Sequence, residues 1–98
     1  MSLIIKWNKR AFSELIKAIE YIENDSPQYA EKVKEDIFTS IEKLLKHPDF
    51  FAPDKYKLGN DGSFRAYEIH TYRISYRYLK NEIRIIRIRH TKRNPRNY

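Results

Sequence analysis

Residues 72–78 read Tyr72-Arg73-Ile74-Ser75-Tyr76-Arg77-Tyr78. After Lys80-Asn81-Glu82 the chain continues Ile83-Arg84-Ile85-Ile86-Arg87-Ile88-Arg89. In the first stretch apolar or aromatic residues alternate with polar ones, the period of a half-buried strand. Tyr72, Ile74, Tyr76 and Tyr78 are expected on one face, with Arg73 and Arg77 on the other. Asn tolerates left-handed backbone angles, so Lys80-Asn81-Glu82 reads as a tight turn and 83–89 as the next strand. The length of that turn decides the faces of the second strand. Three residues group Arg73, Arg77, Arg87 and Arg89 together, whereas two scatter them.

Upstream the period changes. Leu3-Ile4-Ile5-Lys6-Trp7 reads as a short strand, and Asn8 is placed to cap a helix. Phe12, Leu15, Ile16, Ile19 and Ile22 follow at spacings of three and four, an amphipathic helix. Asn24-Asp25-Ser26-Pro27 breaks it, with Ser26 as the next N-cap and Pro27 at the first helical position. Ala30, Val33, Ile37, Ile41, Leu44 and Leu45 carry a second apolar stripe, which His47-Pro48 should end. Residues 49–63 hold Pro53, Gly59, Asn60, Asp61 and Gly62 and read as a loop or irregular strand entry. A further strand begins at Phe64, and the segment from His90 to Tyr98 is not expected in the sheet. The order β-α-α-β-β-β predicts an α+β fold: a small, twisted, mainly antiparallel four-stranded sheet packed on an N-terminal α-hairpin.

At 98 residues the chain is expected to form a single domain over 1–98. A chain this short buries about 60–65% of its unfolded surface, leaving little room for a deep cofactor site. With 41% hydrophobic and 14% aromatic residues it is too apolar for a disordered segment. No run approaches the roughly 18 apolar residues of a membrane helix. Residues 1–6 lack the long apolar core of a secretion leader, so the expected location is the cytoplasm, with no membrane partner. Cysteine is absent, which excludes disulfides and thiolate metal sites. No metal or other cofactor is expected.

The net charge of +7 is unevenly placed. Residues 1–50 hold 8 basic against 9 acidic residues, and residues 51–98 hold 12 against 4. Six basic residues and no acidic one fall between Arg84 and Tyr98. Such asymmetry points to a polyanionic partner, either nucleic acid or an acidic protein. Guanidinium groups grip phosphate and carboxylate bidentately. Arg65, Arg73, Arg77, Arg87, Arg89, Lys92 and Arg93 are therefore the candidate target-binding residues. Taken singly, each arginine is an ordinary outward residue of a half-exposed sheet.

Catalytic motifs are sparse: there is no phosphate-cradling glycine loop, HExxH or CxxC. His47, His70 and His90 are too scattered for a metal site. His47 ends a helix, and His70 lies in a predicted strand with a structural role. His90 lies beside Arg89, Lys92 and Arg93, where neighbouring cations favour a neutral imidazole suited to general-base work. Glu68 and Asp54 are acid candidates that spacing does not separate. Tyr98 is either a phenol donor near phosphate or a frayed end. Tyr67, Tyr72, Tyr76 and Tyr78 either stack on bases or, as period two favours, pack in the core.

The element order, the Tyr72-Arg73-Ile74-Ser75-Tyr76 strand and the closing Ile86-Arg87-Ile88-Arg89-His90-Thr91-Lys92-Arg93-Asn94-Pro95 segment resemble the RelE/ParE toxin superfamily. So do Ser26-Pro27-Gln28-Tyr29-Ala30 and Leu44-Leu45-Lys46-His47-Pro48. The resemblance spans essentially the whole chain. It implies the toxin of a type II toxin–antitoxin module, bound and neutralised by a cognate antitoxin. ParE-like members poison DNA gyrase, and the Ile-x-x-Ile-x-His-x-x-x-Asn-Pro ending looks like that branch. RelE-like members are mRNA endoribonucleases acting in the ribosomal A site. For that activity the resemblance implies Arg73 and Arg93 on the scissile phosphate, His90 or Glu68 as proton acceptor and Tyr98 as donor. Where RelE carries a lysine pair this chain has Phe64-Arg65-Ala66-Tyr67-Glu68, with Arg65 as the substitute. A third reading is a degenerate toxin acting only as a binding partner or co-repressor.

Overall fold

The computed structural model describes residues 3–92 and 97–98. The elements run β1 (Ile4–Trp7), α1 (Lys9–Glu23), α2 (Pro27–Lys43), β2 (Phe64–Ile69), β3 (Tyr72–Tyr78) and β4 (Glu82–His90). The sheet order is β1-β4-β3-β2, with β1 parallel to β4 and the other pairs antiparallel. The connection from β1 to its parallel partner β4 runs through both helices and the β2-β3 pair.

Burial of one sheet face drives the assembly. Ala11 and Leu15 of α1, and Val33, Ile37 and Ile41 of α2, pack on Tyr67, Tyr72, Ile74, Tyr76, Ile83, Ile85 and Ile88. Each fully buried isoleucine contributes about 2–3 kcal/mol. Buried phenols keep partners: Tyr67 shares a 2.7 Å hydrogen bond with Ser40, and Tyr76 donates to the Pro48 carbonyl at 2.8 Å. Burial pushes the Tyr76 phenol up to about 12.

The helix ends follow local chemistry in part. Ser26 Oγ accepts the Tyr29 N–H at 3.1 Å and Pro27 opens α2, as expected. Asn8 sits at the N-cap position of α1 without a side-chain cap bond; its Oδ1 accepts from Arg84 Nη1 at 3.2 Å instead. The α2 helix stops at Lys43, short of His47-Pro48. Leu44, Leu45 and Lys46 continue in a tighter turn, each N–H bonding three residues back. That turn buries Leu44 and turns Leu45 out.

The α1 stripe also divides. Ala11 and Leu15 are buried, while Phe12 and Ile16 remain 45% and 46% exposed. Phe12 meets Trp7 edge-on at 5.6 Å, and Phe38 packs at a tilt on the same indole at 5.9 Å. An apolar patch is left on the helix side of the molecule.

Residues 52–54 lie along the outer edge of β2. Asp54 N–H bonds the Phe64 carbonyl at 2.8 Å, and Ala66 N–H bonds the Ala52 carbonyl at 3.3 Å. This blunts an otherwise open edge. His70, expected in a strand, forms the β2–β3 turn at φ 53°. Its Nε2 lies 2.8 Å from Asp36 Oδ2, tying the turn to α2. That bond holds the Asp36 carboxyl below its usual range.

Candidate functional site

The β3–β4 turn resolves the question of faces in an unexpected way. Leu79 N–H bonds the Glu82 carbonyl at 2.9 Å, leaving Lys80 and Asn81 as a two-residue turn. By alternation alone this would scatter the arginines. Instead the register shifts between Ser75 and Tyr76: Tyr76 opposes Ile85, Ser75 opposes Arg87, and Ile86 has no opposite residue. This β-bulge resets the parity of β4. Arg77 therefore faces Arg84, Ser75 faces Arg87, and Arg73 faces Arg89. All five arginines lie on the face turned away from the core.

Two other candidates, Arg65 from the target-binding set and His90 as the candidate general base, lie on the opposite face. Arg65 pairs with Tyr76, which puts it on the helix side. Its Nη1 donates to the Phe51 carbonyl at 2.6 Å and pins the loop after α2. His90 pairs with Tyr72 and meets that ring edge-on at 5.2 Å. Its Nδ1 accepts the Lys92 N–H at 3.0 Å. Lys92 itself is exposed beyond β4, and Arg93 lies outside the described residues.

The arginine face is heavily internally paired. Arg87 is gripped by the Glu14 carboxylate, with Nη2–Oε2 at 2.9 Å, and Glu14 Oε1 also takes the Ile88 N–H at 2.9 Å. Glu14 thus satisfies β4 backbone beyond the end of β1. Arg84 holds Glu82 at 2.7 Å. Arg77 donates to Ser63 Oγ at 2.9 Å and lies over Phe64.

Arg73 has the most demanding surroundings. Its Nη2 donates to Asp54 Oδ1 at 2.9 Å, its Nη1 reaches Glu68 at 3.5 Å, and the guanidinium covers the Tyr56 ring. The Asp54 side chain is fully buried. An isolated buried carboxylate is costly, so its donors matter. Besides Arg73 it accepts the Tyr56 N–H at 3.0 Å and the Tyr98 hydroxyl at 2.6 Å. Burial alone would raise the Asp54 pKa. The bonds from Tyr98, Arg73 and the Tyr56 N–H outweigh it and hold the carboxyl below its usual range. Burial first, and then the bond to Asp54, push the Tyr98 phenol well above its ordinary value, so it remains a donor.

Tyr98 is not a frayed end. Its N–H bonds the Tyr56 carbonyl at 2.9 Å, its carbonyl accepts from Leu58 N–H at 2.7 Å, and its ring lies under Arg89 at 5.1 Å. Spacing in the sequence does not distinguish Asp54 from Glu68; burial in the fold does. Glu14 and Tyr56 escaped the sequence reading altogether. Arg10, Glu14, Lys17 and Tyr21 do share one helical face at spacings of four, three and four, a signal that was available.

Among the described residues no three His, Cys, Asp or Glu side chains gather as a metal site, and no helix is long and apolar enough to cross a membrane. A family model described as the ParE toxin of the type II toxin–antitoxin system parDE matches residues 5–95. No curated protein matches the chain. Among solved structures, a chain from the chromosomal ParDE TA system of P. aeruginosa superposes with a TM-score of 0.71 at 21% identity. The match covers 93% of this chain and 98% of that one. That likeness concerns the fold, which shares the two helices and the four-stranded sheet described above.

Proposed function

The chain belongs to the ParE toxin family of type II toxin–antitoxin systems, and from that membership we propose that it arrests growth in the cytoplasm by poisoning DNA gyrase. Its cognate antitoxin neutralises it. The observation that carries this reading is the family match over residues 5–95. The geometry at Arg73 supports it against the alternative, a ribosome-dependent mRNA endoribonuclease. That chemistry requires a guanidinium offered to a scissile phosphate. Here Arg73 Nη2 is engaged by a buried carboxylate, Tyr98 donates to the same carboxylate, and His90 is aligned with the helix-side face. The apolar patch of Trp7, Phe12, Ile16 and Phe38 offers the antitoxin a surface to cover.

Pulse labelling after induction without antitoxin tests the target. Thymidine incorporation is expected to fall first while methionine incorporation continues. An early collapse of methionine incorporation would transfer the reading to the nuclease, and unimpaired growth would leave only a binding role.

A further inference from the structure

The outward face of α1 carries a stripe that complements itself. Lys9, Ser13, Ile16 and Glu20 follow one another at spacings of four, three and four, the interval that keeps side chains on one line along a helix. All four are exposed. Together with Trp7 and Phe12 they line an open, largely apolar depression. Lys9 taken with Glu20, and Ser13 taken with Ile16, share one centre, between Glu14 and Leu15. When two copies of the helix lie antiparallel with that centre on a two-fold axis, Lys9 of each meets Glu20 of the other. Ser13 of each then meets Ile16 of the other, a small side chain against a large one, which lets the helices approach closely.

Within one chain Lys9 and Glu20 lie about 16 Å apart along the helix, too far to pair with each other. Among the described residues neither has an ion-pair partner. Phe12 lies on one flank of the stripe, where it faces Phe12 of the second copy across the axis. Lys17 lies on the other flank, where its long stem carries the ammonium group out to water. An unrelated apolar helix would cover Phe12 and Ile16 and leave the charges unmatched. A second copy covers them and also sets an opposite charge at each end.

We propose that this face of α1 is a self-association surface, on which a second copy of the chain packs as an antiparallel, two-fold symmetric helix pair. A single helix pair falls below the roughly 1,200 Å² of a standard interface, so the dimer is weak. The pairing is independent of whether gyrase is the target, and an antitoxin seated on Trp7, Phe12 and Ile16 would displace the second copy. The test is sedimentation velocity with the purified chain from about 1 µM to about 1 mM, over which the parent is expected to pass from monomer towards dimer. Lys9→Glu and Glu20→Lys each set like charges together at both ends, and each is expected to weaken association about tenfold. An equimolar mixture of the two variants is expected to regain it, because each chain then meets its opposite. Lys46→Glu and Glu42→Lys, the same charge changes around the end of α2, are expected to associate as the parent does, alone or mixed. All four positions are exposed, so thermal melts should match the parent chain. The proposal is overturned if the parent stays monomeric up to about 1 mM, which leaves the patch to an antitoxin. It also falls if the Lys9→Glu and Glu20→Lys mixture associates no better than either variant alone. Equal losses in Lys46→Glu and Lys9→Glu would overturn it too, since the effect would then be one of net charge.

Discussion

On the helix side of β3, Tyr72, Ile74 and Tyr76 are buried among apolar neighbours; on the other side of the same strand, Arg73, Ser75 and Arg77 meet carboxylates, a loop and the rings of Tyr56 and Phe64. The first face is held by loss of apolar surface from water, which needs volume and shape but little direction. The second is held by directed bonds that must all be made, because an unmatched buried charge costs more than a matched one contributes. Seven strand residues therefore separate two kinds of stability. The apolar face is tolerant and additive. The arginine face is cooperative, linking β3, the 49–63 loop and Tyr98 through one carboxylate.

Breaking the apolar side should have the largest effect. Ile74 is fully buried, and Ile74→Ala should cost about 4 kcal/mol, read from the midpoint of urea unfolding.

Asp54→Ala should cost about 3 kcal/mol, because it leaves the Arg73 guanidinium buried without its carboxylate. Double substitution of Asp54→Leu with Arg73→Met should recover much of that loss. A double variant no better than the single would show that the two faces do not differ in this way. The same carboxylate sets an acid limb. The Asp54 pKa is depressed in the folded chain, so its contribution is present above the unfolded value of about 3.9 and disappears as pH falls through the lower folded value. Melting temperature against pH should therefore drop below about pH 4 in the parent chain and flatten in Asp54→Asn.

The smallest effect is expected at Glu14. Glu14→Gln keeps an acceptor for the Ile88 N–H but removes the charge facing Arg87, for a loss of about 1 kcal/mol in the same unfolding assay. A loss equal to that of Asp54→Ala would place the cooperative centre at Glu14 rather than under Arg73.

Much of this was legible in the chain because periodicity is local. The 3.6-residue stripe through Val33, Ile37 and Ile41, the Ser26-Pro27 start and the alternation from Tyr72 to Tyr78 each need only neighbouring residues to declare themselves. The misses share a cause. Phe12 and Ile16 satisfy the helical stripe, but the surface that buries Ala11 and Leu15 is too narrow to cover them. Asp54 looks like any loop acid until residues 19 and 44 positions away arrive to bond it. The Ile85-Ile86 pair interrupts strict alternation in β4, yet nothing local says that the interruption is absorbed by a bulge.

The order of elements, the basic bias of the second half and the apolar face are all readable along the chain, because helix period, strand period and charge are properties of short windows. Which arginines stand together, and which are already paired, emerges only once the chain has folded. Cross-strand register and carboxylate burial depend on contacts between distant segments: one bulged residue gathered the arginines, and one buried carboxylate bound Arg73 to Tyr98.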